Sequence, residues 1–346
     1  MKKIVFSGGG SAGHVIPNIA LIEQLKNKFS IAYIGTGGIE EKICKANGVE
    51  FYKFDAVKFV RGKILCNFAI PFKLIKSIKQ AGKLLDLIKP DLVFCKGGYV
   101  CIPPAFAAHK RKIPVLTHES DISAGLANKI IAGKCEKVLT TFPSTAEQFK
   151  NGLYTGSPMR TNIFDRDKKI AREIMELDNR PTLIVFGGGS GSKIINQNIR
   201  DIAFDICKRF NIVHICGRGN KVESNISGYK QIEFAEDMGL IYACADGAVA
   251  RCGSNSANEL IALKIPTLFI PLQNSSSRGD QVKNAEYFCK KEVCRVLSEK
   301  QLSPDCLKKE IIKLFQDNKL KTALNRNCIE CGNERIIKEI YKCLNN

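Results

Sequence analysis

His14 directly follows the run Gly8-Gly9-Gly10-Ser11-Ala12-Gly13, which itself follows the apolar segment Ile4-Val5-Phe6. Glycine tolerates positive φ and lets backbone N–H groups approach an anion closely. A helix opening there adds partial positive charge. A histidine at that N-terminus is placed for proton transfer, because the dipole disfavours the imidazolium and so favours a neutral base. The same histidine can equally cap the helix or hydrogen-bond a ligand. A second turn, Gly187-Gly188-Gly189-Ser190-Gly191-Ser192, follows Leu183-Ile184-Val185-Phe186. Two such units predict two similar domains facing one phosphate-bearing substrate.

The segment Arg251-Cys252-Gly253-Ser254-Asn255-Ser256-Ala257-Asn258-Glu259 reads as another small-residue turn opening a helix. Its backbone N–H groups should face a phosphate, and Glu259 can accept hydrogen bonds from ribose hydroxyls. Asp280, Gln281 and Asn284 fall near the start of a further helix. They suit sugar hydroxyls, and they also suit an ordinary helix start. Gly8-x-Gly10-x-x-Gly13 fits a dinucleotide fingerprint formally, but the second strand ends in Gly35-Thr36-Gly37-Gly38 with no carboxylate until Glu40, which counts against NAD. The second turn does not have the glycine spacing of a Walker A loop. Cys328-x-x-Cys331 lacks the second pair or nearby histidines that zinc needs. No Asp-x-Asp pair suited to a divalent ion is read, so no metal and no cofactor is expected.

The chain of 346 residues is 45% hydrophobic and 25% charged, within the range of globular proteins, and its length predicts about two domains. No apolar stretch reaches the ~18–20 residues of a transmembrane helix, and Met1-Lys2-Lys3 followed by strand-like sequence has no signal-peptide pattern. The 15 cysteines are therefore expected reduced, most of them as small buried hydrophobes. A net charge of +19 attracts nucleic acid, anionic lipid or a phosphorylated substrate. From Phe59 to Lys83, with Lys58 just before, apolar residues interleave with cations: Phe59, Val60, Ile64, Leu65, Phe68, Phe72 and Ile75 among Arg61, Lys63, Lys73, Lys76, Lys79 and Lys83. Such a stretch can rest on anionic headgroups or pack on a sheet with its lysines in water. Aromatic stacking motifs for nucleic acid are not evident.

Short β-type runs must hold these groups. Strands are predicted at Lys3–Ser7, Ile31–Gly35, Asp91–Lys96, Pro114–His118 and Lys137–Thr141, then at Thr182–Phe186, Ile212–Cys216, Gln231–Phe234, Gly247–Ala250, Thr267–Pro271 and Cys294–Leu297. Helical patterns alternate with them, among them His14–Phe29, Phe72–Ile88, Lys193–Arg209, Ala257–Leu263 and Gln281–Lys291. Alternation of this kind predicts an α/β fold of two doubly wound parallel sheets, with ligands at the carboxyl ends of the strands. Expected domains are 1–158 and 165–330, with a final helix at 334–346 able to pack back on the first.

The blocks Gly8–Pro17, Gly97-Gly98-Tyr99, His118-Glu119-Ser120-Asp121, Gly156-Ser157-Pro158-Met159-Arg160, Gly187–Asn196, Arg251–Glu259 and Asp280–Ala285 occur in order across almost the whole chain. Together they resemble the peptidoglycan N-acetylglucosaminyltransferases of glycosyltransferase family 28. The resemblance implies a GT-B architecture, two Rossmann-like domains with a cleft between them. It implies inverting transfer of GlcNAc from UDP-GlcNAc to the C4 hydroxyl of MurNAc in undecaprenyl-linked lipid I. It further implies a peripheral enzyme at the cytoplasmic face of the membrane, docked on the anionic inner leaflet, with no nucleic-acid partner.

By the same resemblance Ser11, Ala12 and Gly13 would contact the donor from the first domain, and Asp121 and Arg160 would approach the sugar-nucleotide. Phe234 and Ala235 would flank uracil. Ser254, Asn255 and Ser256 would bind pyrophosphate through backbone N–H groups, with Glu259 on the ribose. Asp280 and Gln281 would hold the GlcNAc hydroxyls, and His14 would be the base. Three positions depart from the family pattern. Gly189 stands where a serine is usual, with Ser190 next; Asp121 replaces a common Asn; and Gly253-Ser254 replaces Gly-Ala. Rival expectations are a glycolipid glycosyltransferase, a UDP-GlcNAc 2-epimerase, and a basic nucleotide-binding protein without catalysis.

Overall fold

Along the strands, successive side chains are buried on opposite faces, so each sheet must be covered twice. The computed structural model describes residues 1–57, 70–273, 279–329 and 331–345. The chain divides into two compact units, Met1–Arg160 with Cys331–Asn346, and Thr161–Glu330.

In the first unit β1 (Lys3–Ser7), β2 (Ser30–Gly35), β3 (Glu50–Lys53), β4 (Leu92–Cys95), β5 (Val115–Glu119), β6 (Lys137–Thr140) and β7 (Gly152–Tyr154) form one sheet in the order β3-β2-β1-β4-β5-β6-β7. Every pairing is parallel; Ile4 aligns with Ile31 of β2 and with Leu92 of β4. Ile4, Phe6, Leu92 and Phe94 point to one face, under the Ala12–Leu25 helix and under Ile336, Ile340 and Leu344 of the Asn333–Asn345 helix. Val5, Val93 and Cys95 point to the other, under the Ile70–Ile88 and Ile102–Lys110 helices. Strand order reverses between β1 and β4, the topological switch point where ligands bind in open α/β sheets.

The chain returns to this unit through a close backbone approach. Asn333, buried, accepts from Met159 N–H at 3.0 Å and donates to Met159 O at 2.7 Å. Gly332 N–H donates to Ser157 O at 2.8 Å. A Cβ on Gly332 would lie 2.6 Å from the Gly156 carbonyl carbon, so only glycine fits.

The second unit repeats the scheme with β8 (Thr182–Phe186), β9 (Asn211–Ile215), β10 (Tyr229–Ile232), β11 (Gly247–Ala250), β12 (Thr267–Phe269) and β13 (Arg295–Val296), all parallel, in the order β10-β9-β8-β11-β12-β13. The sequence does not announce β3 or β7: they are short edge strands, and β3 carries exposed Glu50 and Lys53. The run expected at Gln231–Phe234 is shifted. The ladder with β9 ends at Ile232, and Phe234 lies beyond it in a loop.

Candidate active site

In the first unit the Gly8–Gly10 turn packs against a second glycine turn, Gly97-Gly98, after β4. A Cβ on Gly98 would lie 2.7 Å from Gly9 O and 3.5 Å from His14 Nε2, and Gly98 has φ +80°. A Cβ on Gly10 would lie 3.0 Å from the Tyr99 ring. The turn is fixed from beneath: Tyr33 Oη donates to Gly8 O at 2.6 Å, and Asn18 Nδ2 reaches Ser7 O and Tyr33 Oη, both at 3.2 Å. Burial raises the Tyr33 phenol well above its ordinary range, so it stays a donor. Glu40, from the helix Ile39–Ala46, accepts from Gly10 N–H at 3.3 Å and from Thr36 Oγ1 at 2.9 Å.

Ser11, exposed with extended backbone, precedes the Ala12–Leu25 helix, which begins with Ala12, Gly13 and His14. His14 is half-buried, and its Nδ1 lies 3.2 Å from Lys96 O. A carbonyl only accepts, so Nδ1 carries a proton, and the neutral ring has its lone pair on Nε2.

Lys96 itself is fully buried beside the first turn, and its Nζ bonds Ser120 Oγ. Burial lowers its pKa to about 8, against the opposing pull of Glu119 and Asp121. Glu119 organises the loop bearing Asp121: Oε1 accepts from Asp121 N–H at 3.1 Å, and Oε2 accepts from Gly125 N–H at 2.7 Å and Asn128 Nδ2 at 2.8 Å. His118, buried, contacts Gly156 O through Nε2 at 2.9 Å; desolvation, then the Lys96 charge, holds its pKa well below the usual range. Arg160, half-buried, closes this stretch.

In the second unit the glycine turn after β8 is shaped by its neighbours. A Cβ on Gly191, at φ +74°, would lie 2.0 Å from Cys216 O. Gly189 and Ser190 are exposed at the tip. Ser192, the residue before the Lys193–Ile206 helix, accepts from Arg251 Nη2 at 2.9 Å. Arg251 is buried at the end of β11, donates to Ile270 O at 3.0 Å and pairs with Glu299. One guanidinium thereby ties the second glycine turn to the turn that opens the Ser254–Ala262 helix.

That helix starts with Ser254, Asn255 and Ser256, which follow half-buried Gly253. Glu259 lies on it, buried, with Oε2 accepting from Tyr242 Oη at 2.8 Å. Phe234 is half-exposed with the Arg218 guanidinium 4.9 Å from its ring centroid, and Ala235 adjoins it. Asp280 and Gln281 open the Asp280–Lys290 helix after Gly279, at φ +73°, and Gln281 Oε1 accepts from Leu272 N–H at 3.0 Å. Asn284 Nδ2 donates to Cys252 O at 3.3 Å.

The structure thus gathers His14, Ser11, Ala12, Gly13 and Asp121 at the carboxyl ends of β1, β4 and β5, and Ser254, Asn255, Ser256, Glu259 and Asp280 at those of β11 and β12. Sequence reading gave no role to Glu40, Lys96, Glu119, Tyr242 or Glu299. Glu119 alone lay within a quoted block; the others are joined to the site by contacts between distant segments. Among the described residues no group of three or more His, Cys, Asp or Glu could hold a metal ion. Asp165-Arg166-Asp167 has Asp-x-Asp spacing, but Asp167 Oδ1 caps the Lys168–Ile174 helix, accepting from Ile170 N–H at 2.9 Å. All cysteines among the described residues are free thiols.

Two parallel-sheet units with glycine turns at the carboxyl ends of their strands have the architecture of GT-B glycosyltransferases. Residues 4–140 match the glycosyltransferase family 28 N-terminal domain and residues 182–340 the family 28 C-terminal domain. The chain belongs to glycosyltransferase family 28. It is 40% identical over 351 residues to a protein of Clostridium novyi (strain NT), with 98% of each chain covered, and 42% identical over 352 residues to one of Clostridium botulinum (strain Alaska E43 / Type E3), again with 98% of each covered. Both relatives are named UDP-N-acetylglucosamine--N-acetylmuramyl-(pentapeptide) pyrophosphoryl-undecaprenol N-acetylglucosamine transferase. The crystal structure of Acinetobacter baumannii MurG matches in fold, with a TM-score of 0.76 at 23% identity, covering 99% of this chain and 100% of that one.

Proposed function

We propose that this enzyme transfers GlcNAc from UDP-GlcNAc to the C4 hydroxyl of MurNAc in undecaprenyl-linked lipid I, with inversion, and so makes lipid II for peptidoglycan. The observation that carries the reading is the His14 imidazole beside two apposed glycine turns, its Nδ1 held at 3.2 Å from Lys96 O, in a chain that matches relatives of that name end to end.

A single displacement at the anomeric carbon needs a base for the attacking hydroxyl and charge stabilisation for departing UDP. His14 supplies the base through Nε2, a role worth ~10²–10⁴-fold in rate. The backbone N–H groups of Ser254, Asn255 and Ser256, with the dipole of their helix, meet the growing diphosphate charge, and Gly189 and Ser190 assist. Tyr242 orients Glu259 on the ribose, Phe234 and Ala235 flank uracil, and Arg160 and Asp121 approach the sugar-nucleotide. Gln281 keeps its NH₂ for a sugar hydroxyl because its carbonyl is engaged by Leu272, and Asp280 accepts from another. Ser11, Ala12 and Gly13 contact the donor from the first unit, and the glycine turn that precedes them faces the diphosphate of the lipid acceptor.

The unit assignments follow: an acceptor and membrane-side unit, 1–160 with the returning helix, and a UDP-sugar unit. Docking on the inner leaflet rests on Phe72, 76% exposed, and Ile75, 53% exposed, among Lys73, Lys76, Lys79 and Lys83 of the Ile70–Ile88 helix. The Phe59–Phe68 part of the expected patch lies outside the described residues. No helix among the described residues is long and apolar enough to cross a membrane. The test is UDP release by purified protein given UDP-GlcNAc with and without lipid I; equal release in the two would end the reading, and product from diacylglycerol instead would point to a glycolipid transferase.

A further inference from the structure

The first glycine turn contains an anion of its own. Glu40 is only 3% exposed, and its Oε1 lies 3.3 Å from Gly10 N and 2.9 Å from Thr36 Oγ1. The carboxylate is pressed against the turn: a Cβ on Gly9 would lie 2.1 Å from Oε1, so a side chain there would have to displace the Glu40 carboxylate. A carboxylate oxygen offers Gly10 the same acceptor that a phosphate oxygen would, and its negative charge repels a second anion at short range.

We propose that Glu40 is a specificity-determining residue of the acceptor site, an internal carboxylate that occupies the Gly10 amide and weakens the hold of the glycine turn on a diphosphate. This rests on the reading that the turn meets the acceptor's diphosphate. That group is common to the lipid acceptor and the lipid product. Gripping it strongly binds both equally, adds nothing to the chemical step and delays product release. A competing carboxylate leaves recognition to the sugar and peptide, which carry the information.

Glu40→Gln in the full-length enzyme removes the charge and keeps the shape, and Glu40→Met serves as a second variant. Titration calorimetry with inorganic pyrophosphate should show binding about fivefold or more tighter than in the unaltered protein. In steady state KM for the lipid acceptor should fall, inhibition by the lipid product should strengthen, and KM for UDP-GlcNAc should stay within twofold. Folded variants with unchanged or weaker pyrophosphate affinity would overturn the proposal. Loss of folding in both variants would overturn it too, by making the carboxylate a strut. Absence of acceptor turnover in the unaltered enzyme would sink the assigned reaction instead, and the pyrophosphate titration would still decide the role of Glu40.

Discussion

Tyr242 donates its phenol hydrogen to Glu259 Oε2 at 2.8 Å across two helices of the second unit, and both side chains are buried. The bond fixes the carboxylate before any nucleotide arrives. Tyr242→Phe should therefore raise the dissociation constant for UDP about 3–10-fold, the loss of one hydrogen bond to a charged group. Calorimetric titration with UDP checks this; an unchanged constant would mean that Glu259 is not on the ribose.

His14→Ala should lower kcat by about 10²–10⁴-fold while leaving UDP-GlcNAc affinity and thermal stability close to those of the parent. His14 is half-buried, and its Nδ1 contact is with the Lys96 backbone carbonyl. A rate within threefold of the parent would remove His14 as base.

These two predictions differ in how far the sequence announces them. The glycine turns, His14 and two helix starts, expected at Ala257 and Gln281 and found at Ser254 and Asp280, are local signals, legible because turn chemistry and helix initiation act over a few residues. Tyr242 is invisible that way. It sits in the six-residue helix Met238–Ala243, and its meeting with Glu259 is decided by how two helices pack. Lys96 and Glu40 are hidden for the same reason: a lysine after an apolar strand and a glutamate at a helix start look like solvated surface until folding buries them. The core strands were legible as apolar runs, whereas edge strands β3 and β7 bury too little to leave a pattern.

Arg251→Met should destabilise the second unit by roughly 3–5 kcal/mol, because it strands Glu299 in a largely buried position. Arg251→Met with Glu299→Met should recover part of that loss. Urea denaturation of the single and double variants measures both; a single-variant cost below about 1 kcal/mol would mean that the pair is solvated.

His214 gives a pH dependence with a definite sign. It is buried on β9 between Tyr229 Oη at 2.8 Å and Asn196 Oδ1 at 3.0 Å, and desolvation, then the Arg200 charge, lowers its pKa to about 4. Its unfolded value is about 6.5. Between these values the unfolded chain binds the proton and the folded one does not, so stability is intact above about pH 6.5 and declines as pH falls toward 4. The full loss is on the order of 3 kcal/mol. Unfolding followed from pH 7 to 4 should show that decline, and His214→Gln should flatten it.

If the Ile70–Ile88 helix is the docking face, binding to vesicles of anionic lipid should weaken steeply with salt, because its lysines would then act within a Debye length of the surface. Phe72→Ser with Ile75→Ser should reduce binding about tenfold at constant salt without changing turnover of a short-chain, water-soluble acceptor. Sedimentation with vesicles separates the two contributions; unaltered binding by the double variant would place the contact elsewhere.

The Asn333–Asn345 helix covers a sheet whose strands are synthesised long before it. Ile4, Phe6, Leu92 and Phe94 wait, without Ile336, Ile340 and Leu344 to cover them, until the whole of the second unit has left the ribosome. The second unit is one unbroken stretch, complete in sequence before that helix is made. During translation the order of completion is thus reversed relative to the order of synthesis, and the half that bears His14 is finished after the half that bears Glu259.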